Sequence, residues 1–106
     1  MHYNYRLIQY CPNIVVDNRF TIGALVEYKK EVFFVPNPVL PPQTYLGDQT
    51  FYLMQLGITR LAKTEWKTIN QHPENLGPHF LFETIRNIPL SVVDTVAWVG
   101  RIFDVI

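Results

Sequence analysis

The chain has 106 residues, of which 48% are hydrophobic and 17% charged, with a formal net charge of zero. This length suits one domain, and the apolar share excludes a disordered chain. The basic residues are scattered and no apolar run could span a membrane, so we expect no binding to nucleic acid or membrane. The polar start lacks a signal-peptide pattern, and the single Cys11 allows no internal disulfide. We therefore expect one cytoplasmic domain, residues 1–106.

The first third of the chain predicts three strands. Residues 3–10 are rich in tyrosine and are typical of a strand. Residues 20–28 and 31–35 predict a hairpin whose turn is Lys29-Lys30. Alternation divides the first strand into two faces, one with Tyr3, Tyr5, Leu7 and Gln9 and the other with Asn4, Arg6, Ile8 and Tyr10.

Two positions in this region predict interruptions of the sheet. We expect Cys11-Pro12-Asn13 to end the first strand, because proline cannot donate to a ladder and asparagine tolerates turn geometry. Gly23, inside the second strand, indicates a bulge or a close approach of another segment.

The rest of the chain predicts two helices and a fourth strand. The proline-rich segment 36–42 predicts an extended linker, and Asp48 is a candidate cap for a helix that can run on to Ile69. The pattern then predicts a loop at 71–79 and a strand at 80–88.

The last helix is predicted at residues 92–105, with Ser91 and Asp94 as a capping box. Its apolar stripe is predicted to hold Val92, Val96, Val99, Phe103 and Ile106. The element order is β-β-β-α-β-α. The fold class is therefore α+β, with a mainly antiparallel sheet of about four strands packed with two helices.

The sequence offers one candidate metal site and one candidate nucleophile, and a structural role is favoured for both. His72, Glu74 and His79 are possible metal ligands, but their spacing matches no compact ligand motif. Cys11 is a possible nucleophile, but no signature of a catalytic thiol surrounds it, and lone cysteines in small domains are mostly buried. Phosphate loops, serine elbows and paired carboxylates are absent from the sequence. We therefore expect no catalytic residues, no metal and no cofactor.

The aromatic content, 14% of the residues, is the unusual property of the chain. Most of these rings are expected to fill the core, and the remainder to line a groove or an interface, where tyrosine is enriched. On this basis the candidate ligand-binding residues are Tyr5, Arg6, Arg19 and Tyr28, with the arginines as polar anchors.

Part of the N-terminal third resembles a known family. The segments YRLIQYCPNI and FTIGALV, with Asp17 between them, resemble the uncharacterised bacterial family called domain of unknown function 3037. The resemblance covers about residues 3–35, and Thr21 and Ala24 stand where that family usually has Asn and Val. It implies an α+β bacterial domain with no established activity, sometimes encoded beside a HipA-type kinase, and it assigns no catalytic residue.

Three classes of function follow from these observations. The first is a non-enzymatic interaction or accessory protein that acts as a homo-oligomer or with a protein partner. The low charge favours it, and the tyrosine-rich sheet face left over by the last helix would need the cover of a second copy. The second is a small-molecule binding protein with an aromatic-lined pocket. The third is an enzyme whose residues come from separate elements, such as Arg6, Asp17, Arg19 and His79.

Overall fold

The computed structural model describes residues 2–13, 15, 18–29, 31–63 and 71–104. These residues form five strands, three α-helices and one short 3-10 helix. In chain order they are β1 (His2–Asn13), β2 (Asn18–Lys29), β3 (Glu31–Pro36), α1 (Gln43–Leu46), α2 (Asp48–Ala62), the 3-10 helix (Pro73–Leu76), β4 (Phe80–Phe82), β5 (Arg86–Asn87) and α3 (Thr95–Phe103).

The strands form one antiparallel sheet in the order β3-β2-β1-β4, with β5 also paired to β1. The long strands β1 and β2 lie at its centre, because both are rich in apolar residues that alternate between two buried faces. The α+β class and the antiparallel sheet predicted from the sequence are confirmed.

The first strand extends further than the sequence predicts. β1 continues through Pro12 to Asn13, so the predicted end at Cys11-Pro12-Asn13 is wrong. The ladder with β2 is irregular between Tyr10 and Asn13. On the other side of β1, the backbone N–H of Cys11 donates to the carbonyl of His79 at 2.7 Å. This hydrogen bond keeps the strand in the sheet next to a proline, which has no N–H of its own.

The prediction for Gly23 is confirmed. The pairing of β1 with β2 shifts register between Ile8 and Gln9, next to the partner Gly23. A side chain at Gly23 would overlap the ring of Phe34 and the backbone of Val35. Glycine therefore allows β3 to approach the bulged strand closely.

The β2–β3 hairpin has the predicted form, whereas the fourth strand does not. Tyr28 pairs with Glu31 across the hairpin, and Lys29, where β2 ends, adopts a positive φ of 59°. The predicted strand at 80–88 is divided into β4 and β5, because residues 83–85 leave the regular ladder. Only the N–H of Glu83 still donates to β1, at 2.9 Å to the carbonyl of Leu7.

The proline-rich linker is confirmed for residues 37–42, which contain neither helix nor strand. The short helix α1 that follows them has no counterpart in the sequence prediction. Asp48 is the first residue of α2 rather than its cap; the cap is Gly47, and the Asp48 carboxylate accepts from Gln43 Nε2 at 2.9 Å. The predicted continuation toward Ile69 lies outside the described residues.

The last helix begins at Thr95, three residues later than the predicted start at residue 92. Its cap is Asp94, whose carboxylate accepts from the N–H of Ala97 at 3.1 Å, so the predicted capping box is wrong. Within α3, Val99 and Phe103 are buried as predicted, whereas Val96 is exposed. The predicted stripe member Ile106 lies outside the described residues.

The sheet is covered on both faces, giving three layers. On one face, Val99 and Phe103 of α3 pack on a cluster from the sheet: Tyr5, Leu7, Ala24, Val26 and Val35. On the other, Met54 and Leu61 of α2 pack on Ile8, Tyr10, Ile22 and Leu25. The expectation that one sheet face lacks a helix is therefore wrong. None of the helices in the described residues is long and apolar enough to cross a membrane.

Candidate functional site

A group of exposed apolar side chains lies where the chain enters α3. Leu90 is 82% exposed, Val93 94% and Val96 52%, and we call these three residues the apolar patch. They lie within seven positions of one another, around the first turn of the helix. Large apolar side chains grouped at the surface are typical of an interaction site.

The apolar patch is also poor in charge. The sequence from Ile88 to Val99 contains one charged residue, Asp94. Its carboxylate is engaged as the cap of α3 through the N–H of Ala97. Depletion of charge is the compositional mark of the centre of a protein–protein interface.

Two tyrosines of the sheet border the patch. The rings of Tyr3 and Tyr28 lie 4.8 Å apart between centroids, at an interplanar angle of 49°. Together with Leu90 they line a small cavity of about 60 Å³. The structure thus places Tyr28, one of the predicted site residues, next to the exposed side chain of Leu90.

Arg19, a second predicted site residue, lines a cavity that we call the Arg19 cleft. This cleft has a volume of about 540 Å³ and runs between β2, the proline-rich linker and the end of α3. Phe20 and Tyr45 meet edge to face across it, with ring centroids 5.8 Å apart. The linker is held to β2 by Asn37, whose side chain donates to the carbonyl of Thr21 at 2.9 Å.

The other two predicted site residues lie away from both places. Tyr5 is buried in the core, where its ring meets Trp98 of α3 edge to face at 5.5 Å. Arg6 lies on the opposite face, where its Nε donates to the carbonyl of Glu83 at 3.1 Å and its guanidinium lies over the ring of Phe82. Burial lowers the pKa of Arg6 below its ordinary value. The four predicted residues therefore do not converge on one site, and their ligand-binding role stays a prediction.

The residues of the enzymatic hypothesis are also dispersed. Arg6, Arg19 and His79 line three different cavities. Asp17, the fourth member, lies outside the described residues. The enzyme stays an alternative hypothesis.

The candidate metal ligands separate into two places. His72 and Glu74 form an exposed pair, with 3.4 Å between Nδ1 and Oε1. Nδ1 of His79 lies 2.8 Å from the carbonyl oxygen of Cys11 instead. Among the residues that the structure describes, no group of three or more His, Cys, Asp or Glu side chains is placed to hold a metal ion.

Cys11 is buried, and its thiol donates to the carbonyl of Asn13 at 3.3 Å. The imidazole of His79 contacts the backbone carbonyl of this residue, not its sulfur. The arrangement differs from a thiol–imidazole pair, in which the ring nitrogen takes the thiol proton. The contact between the imidazole of His79 and the carbonyl of Cys11 anchors the turn at His79 onto β1.

Leu90 and Val93 were missed as functional residues by the sequence reasoning. The pattern predicts a helix at 92–105 with a stripe that includes Val96, and it assigns no role to Leu90 or Val93. The signal that identifies them is the nearly uncharged run from Ile88 to Val99.

Comparison of the chain with protein-family models, curated proteins and solved structures finds no match. The resemblance of residues 3–35 to domain of unknown function 3037 stays a prediction.

Proposed function

We propose that the protein is a non-enzymatic interaction protein, and that its partner at the apolar patch is a second copy of the same chain. The observation that carries the proposal is the combination of exposed apolar side chains and missing charge at the start of α3. The proposal does not depend on an uncovered sheet face, because each face already packs on a helix.

The charge pattern favours a second copy as the partner. In a two-fold dimer each surface meets itself, so a patch with several like charges would repel its own copy. The one charged side chain between Ile88 and Val99 is the capping Asp94. The patch can therefore face its copy without pairing like charges at the centre of the interface.

The energy available at the patch is appropriate to a reversible dimer. Fully burying a valine or leucine side chain contributes about 1.5–3 kcal/mol. Leu90 and Val93 are almost fully exposed, and a two-fold axis buries both copies of each. A standard interface covers about 800 Å² per partner. The tyrosine pair Tyr3–Tyr28, beside the patch, extends the contact area toward that size.

Sedimentation equilibrium tests the proposal with a matched pair of variants. Val93 and Val15 are 94% and 95% exposed, but Val15 lies in the connection between β1 and β2, outside the patch. We expect the wild-type chain and Val15→Glu to associate at tens of micromolar. Val93→Glu should be monomeric, because it buries two like charges across the axis. A wild-type chain that stays monomeric with no concentration dependence would refute the homo-oligomer.

A second candidate function is small-molecule binding in the Arg19 cleft. Its volume of about 540 Å³ is within the range of about 300–1,000 Å³ that is typical of ligand pockets. The walls combine the rings of Phe20 and Tyr45 with the side chains of Asn37 and Asp104.

Amide-resolved NMR with a set of small aromatic and carboxylate compounds tests this second function. A ligand of the cleft should shift the signals of Thr21 and Asn37, and Tyr45→Ala should weaken it. Tyr52→Ala is the matched control, since Tyr45 and Tyr52 are 63% and 61% exposed and Tyr52 lies outside the cleft. Equal losses in the two variants would contradict binding in the cleft.

A further inference from the structure

A separate groove lies between α2 and the segment that leads into β4, and we call it the His79 groove. Its volume is about 260 Å³. Apolar side chains form most of its wall: Leu53, Leu56, Leu76 and Phe80. Tyr10 and His79 also line it, with ring centroids 6.1 Å apart. Arg60 borders the groove as well and is already engaged in an interaction of its own.

The hydrogen bond between His79 and Cys11 fixes the tautomer of the imidazole. Nδ1 of His79 lies 2.8 Å from the carbonyl oxygen of Cys11, which can only accept, so Nδ1 carries the proton. The N–H of Cys11 donates in return to the His79 carbonyl at 2.7 Å, which holds the two backbones together. In the neutral ring Nε2 is therefore an acceptor. Within the described part of the chain it has no hydrogen-bond partner.

Tyr10 supplies a complementary donor. Its side chain is 2% exposed and packs on Phe80, with 4.9 Å between ring centroids. Burial raises the pKa of the Tyr10 hydroxyl, so the group stays protonated at neutral pH. Among the described residues this hydroxyl has no hydrogen-bond partner, and it is not one of the fully buried unpaired polar atoms, so it retains some exposure. The groove thus contains one acceptor and one donor that the protein itself leaves unused.

We infer that the His79 groove binds a small phenol. A phenolic hydroxyl donates to Nε2 of His79 and accepts from the hydroxyl of Tyr10, which satisfies both groups at once. The aromatic body of the ligand lies among Leu53, Leu56 and Phe80, whose apolar surfaces and ring suit it. The inference is independent of self-association at the apolar patch, since the two sites share no residue.

The decisive measurement is a titration of the wild-type protein, with its histidines labelled with ¹⁵N, using p-cresol and p-xylene. These probes have nearly the same shape, but p-xylene carries a methyl group in place of the hydroxyl. We expect p-cresol to shift the Nε2 signal of His79. It should bind at least about tenfold more tightly than p-xylene, because it can form two hydrogen bonds that p-xylene cannot. Equal affinity for the two probes, an unmoved Nε2 signal, or no binding of p-cresol up to its solubility limit would overturn the inference.

Two variants separate the contributions of the polar groups. His79→Asn keeps an amide donor that can reach the Cys11 carbonyl while removing Nε2, and Tyr10→Phe removes the hydroxyl alone. Each should weaken p-cresol about fivefold to tenfold and leave p-xylene unchanged. His72→Asn, which changes an exposed histidine outside the groove, should leave both affinities unaltered. If His79→Asn fails to fold, Tyr10→Phe and the wild-type Nε2 signal still test the inference. The absence of an effect in either measurement would contradict it.

Discussion

The ring of Phe80 packs directly against Gly57, so β4 meets the middle of α2 at the one position without a side chain. A methyl group at Gly57 would overlap the ring itself. From the helical pattern alone, Gly57 only weakens α2, by up to about 1 kcal/mol relative to alanine. In the structure, the absence of a side chain at Gly57 allows the ring of Phe80 to contact α2 closely.

We expect Gly57→Ala to lower the free energy of unfolding by about 1 kcal/mol. Alanine improves helix propensity by about 1 kcal/mol, but overpacking against Phe80 costs about 1–3 kcal/mol and outweighs it. Gly100→Ala is the matched control in α3, because nothing lies within 4 Å of the added carbon. That variant should gain about 0.5–1 kcal/mol. Urea unfolding measures both, and the same sign for the two variants would contradict the packing argument.

The sequence predicted the sheet well where a local pattern decides the structure. The alternation of Tyr5 and Leu7 against Ile8 and Tyr10 is confirmed, because both faces of β1 pack on helices. The prediction from sequence failed where contacts between distant parts of the chain decide the structure. Pro12 stays in β1 because a hydrogen bond from Cys11 to His79, 68 positions away, replaces the regular ladder. No window of sequence contains that contact.

Asp94→Ala should lower the free energy of unfolding by about 1 kcal/mol, because it removes the side chain that caps the first turn of α3. Asp104→Ala, at the other end of the same helix, is the control. An acidic group there faces the negative end of the helix dipole, so its removal should be neutral or slightly stabilising. Thermal or urea unfolding measures both. Equal losses would mean that general surface charge, not the cap, explains the effect.

Thermal unfolding should be the same with and without EDTA, and with and without a reductant. The core clusters on the two sheet faces are apolar, and Cys11 is a free, buried thiol. The described His, Cys, Asp and Glu side chains form no group that would hold a metal. Differential scanning calorimetry provides the comparison. A transition that falls by several degrees in EDTA would restore His72, Glu74 and His79 as a metal site.

The candidate sites were less predictable than the fold. Val96 was assigned to the buried stripe because a helix starting near Ser91 would carry it there. The actual start at Thr95 leaves Val93 outside the helix and Val96 on its exposed side. A change of a few residues in a helix boundary thus converts an expected core segment into a candidate interface. The Tyr10–His79 pairing was equally hidden, since it joins β1 to a loop far along the chain.

The stability of the protein should decrease at alkaline pH through Tyr10. Burial raises the pKa of this hydroxyl in the folded state, whereas an unfolded tyrosine titrates near its ordinary value of about 10. Below pH of about 10 the group is protonated in both states and stability does not depend on it. Above that pH the unfolded state binds fewer protons than the folded state, so the free energy of unfolding falls as pH rises, by at most about 1.4 kcal/mol per pH unit. The loss continues until the pH passes the raised folded pKa.

Tyr10→Phe tests this dependence, because phenylalanine keeps the ring and removes the titrating group. Urea unfolding of both proteins at pH 8, 9, 10 and 11 should give parallel values up to about pH 10 and a shallower decline for the variant above it. Tyr52→Phe serves as the control, since that ring is exposed on α2 and its loss should leave the decline as in the wild type. If Tyr10→Phe and wild type lose stability equally between pH 10 and 11, the buried hydroxyl is not the group that destabilises the fold.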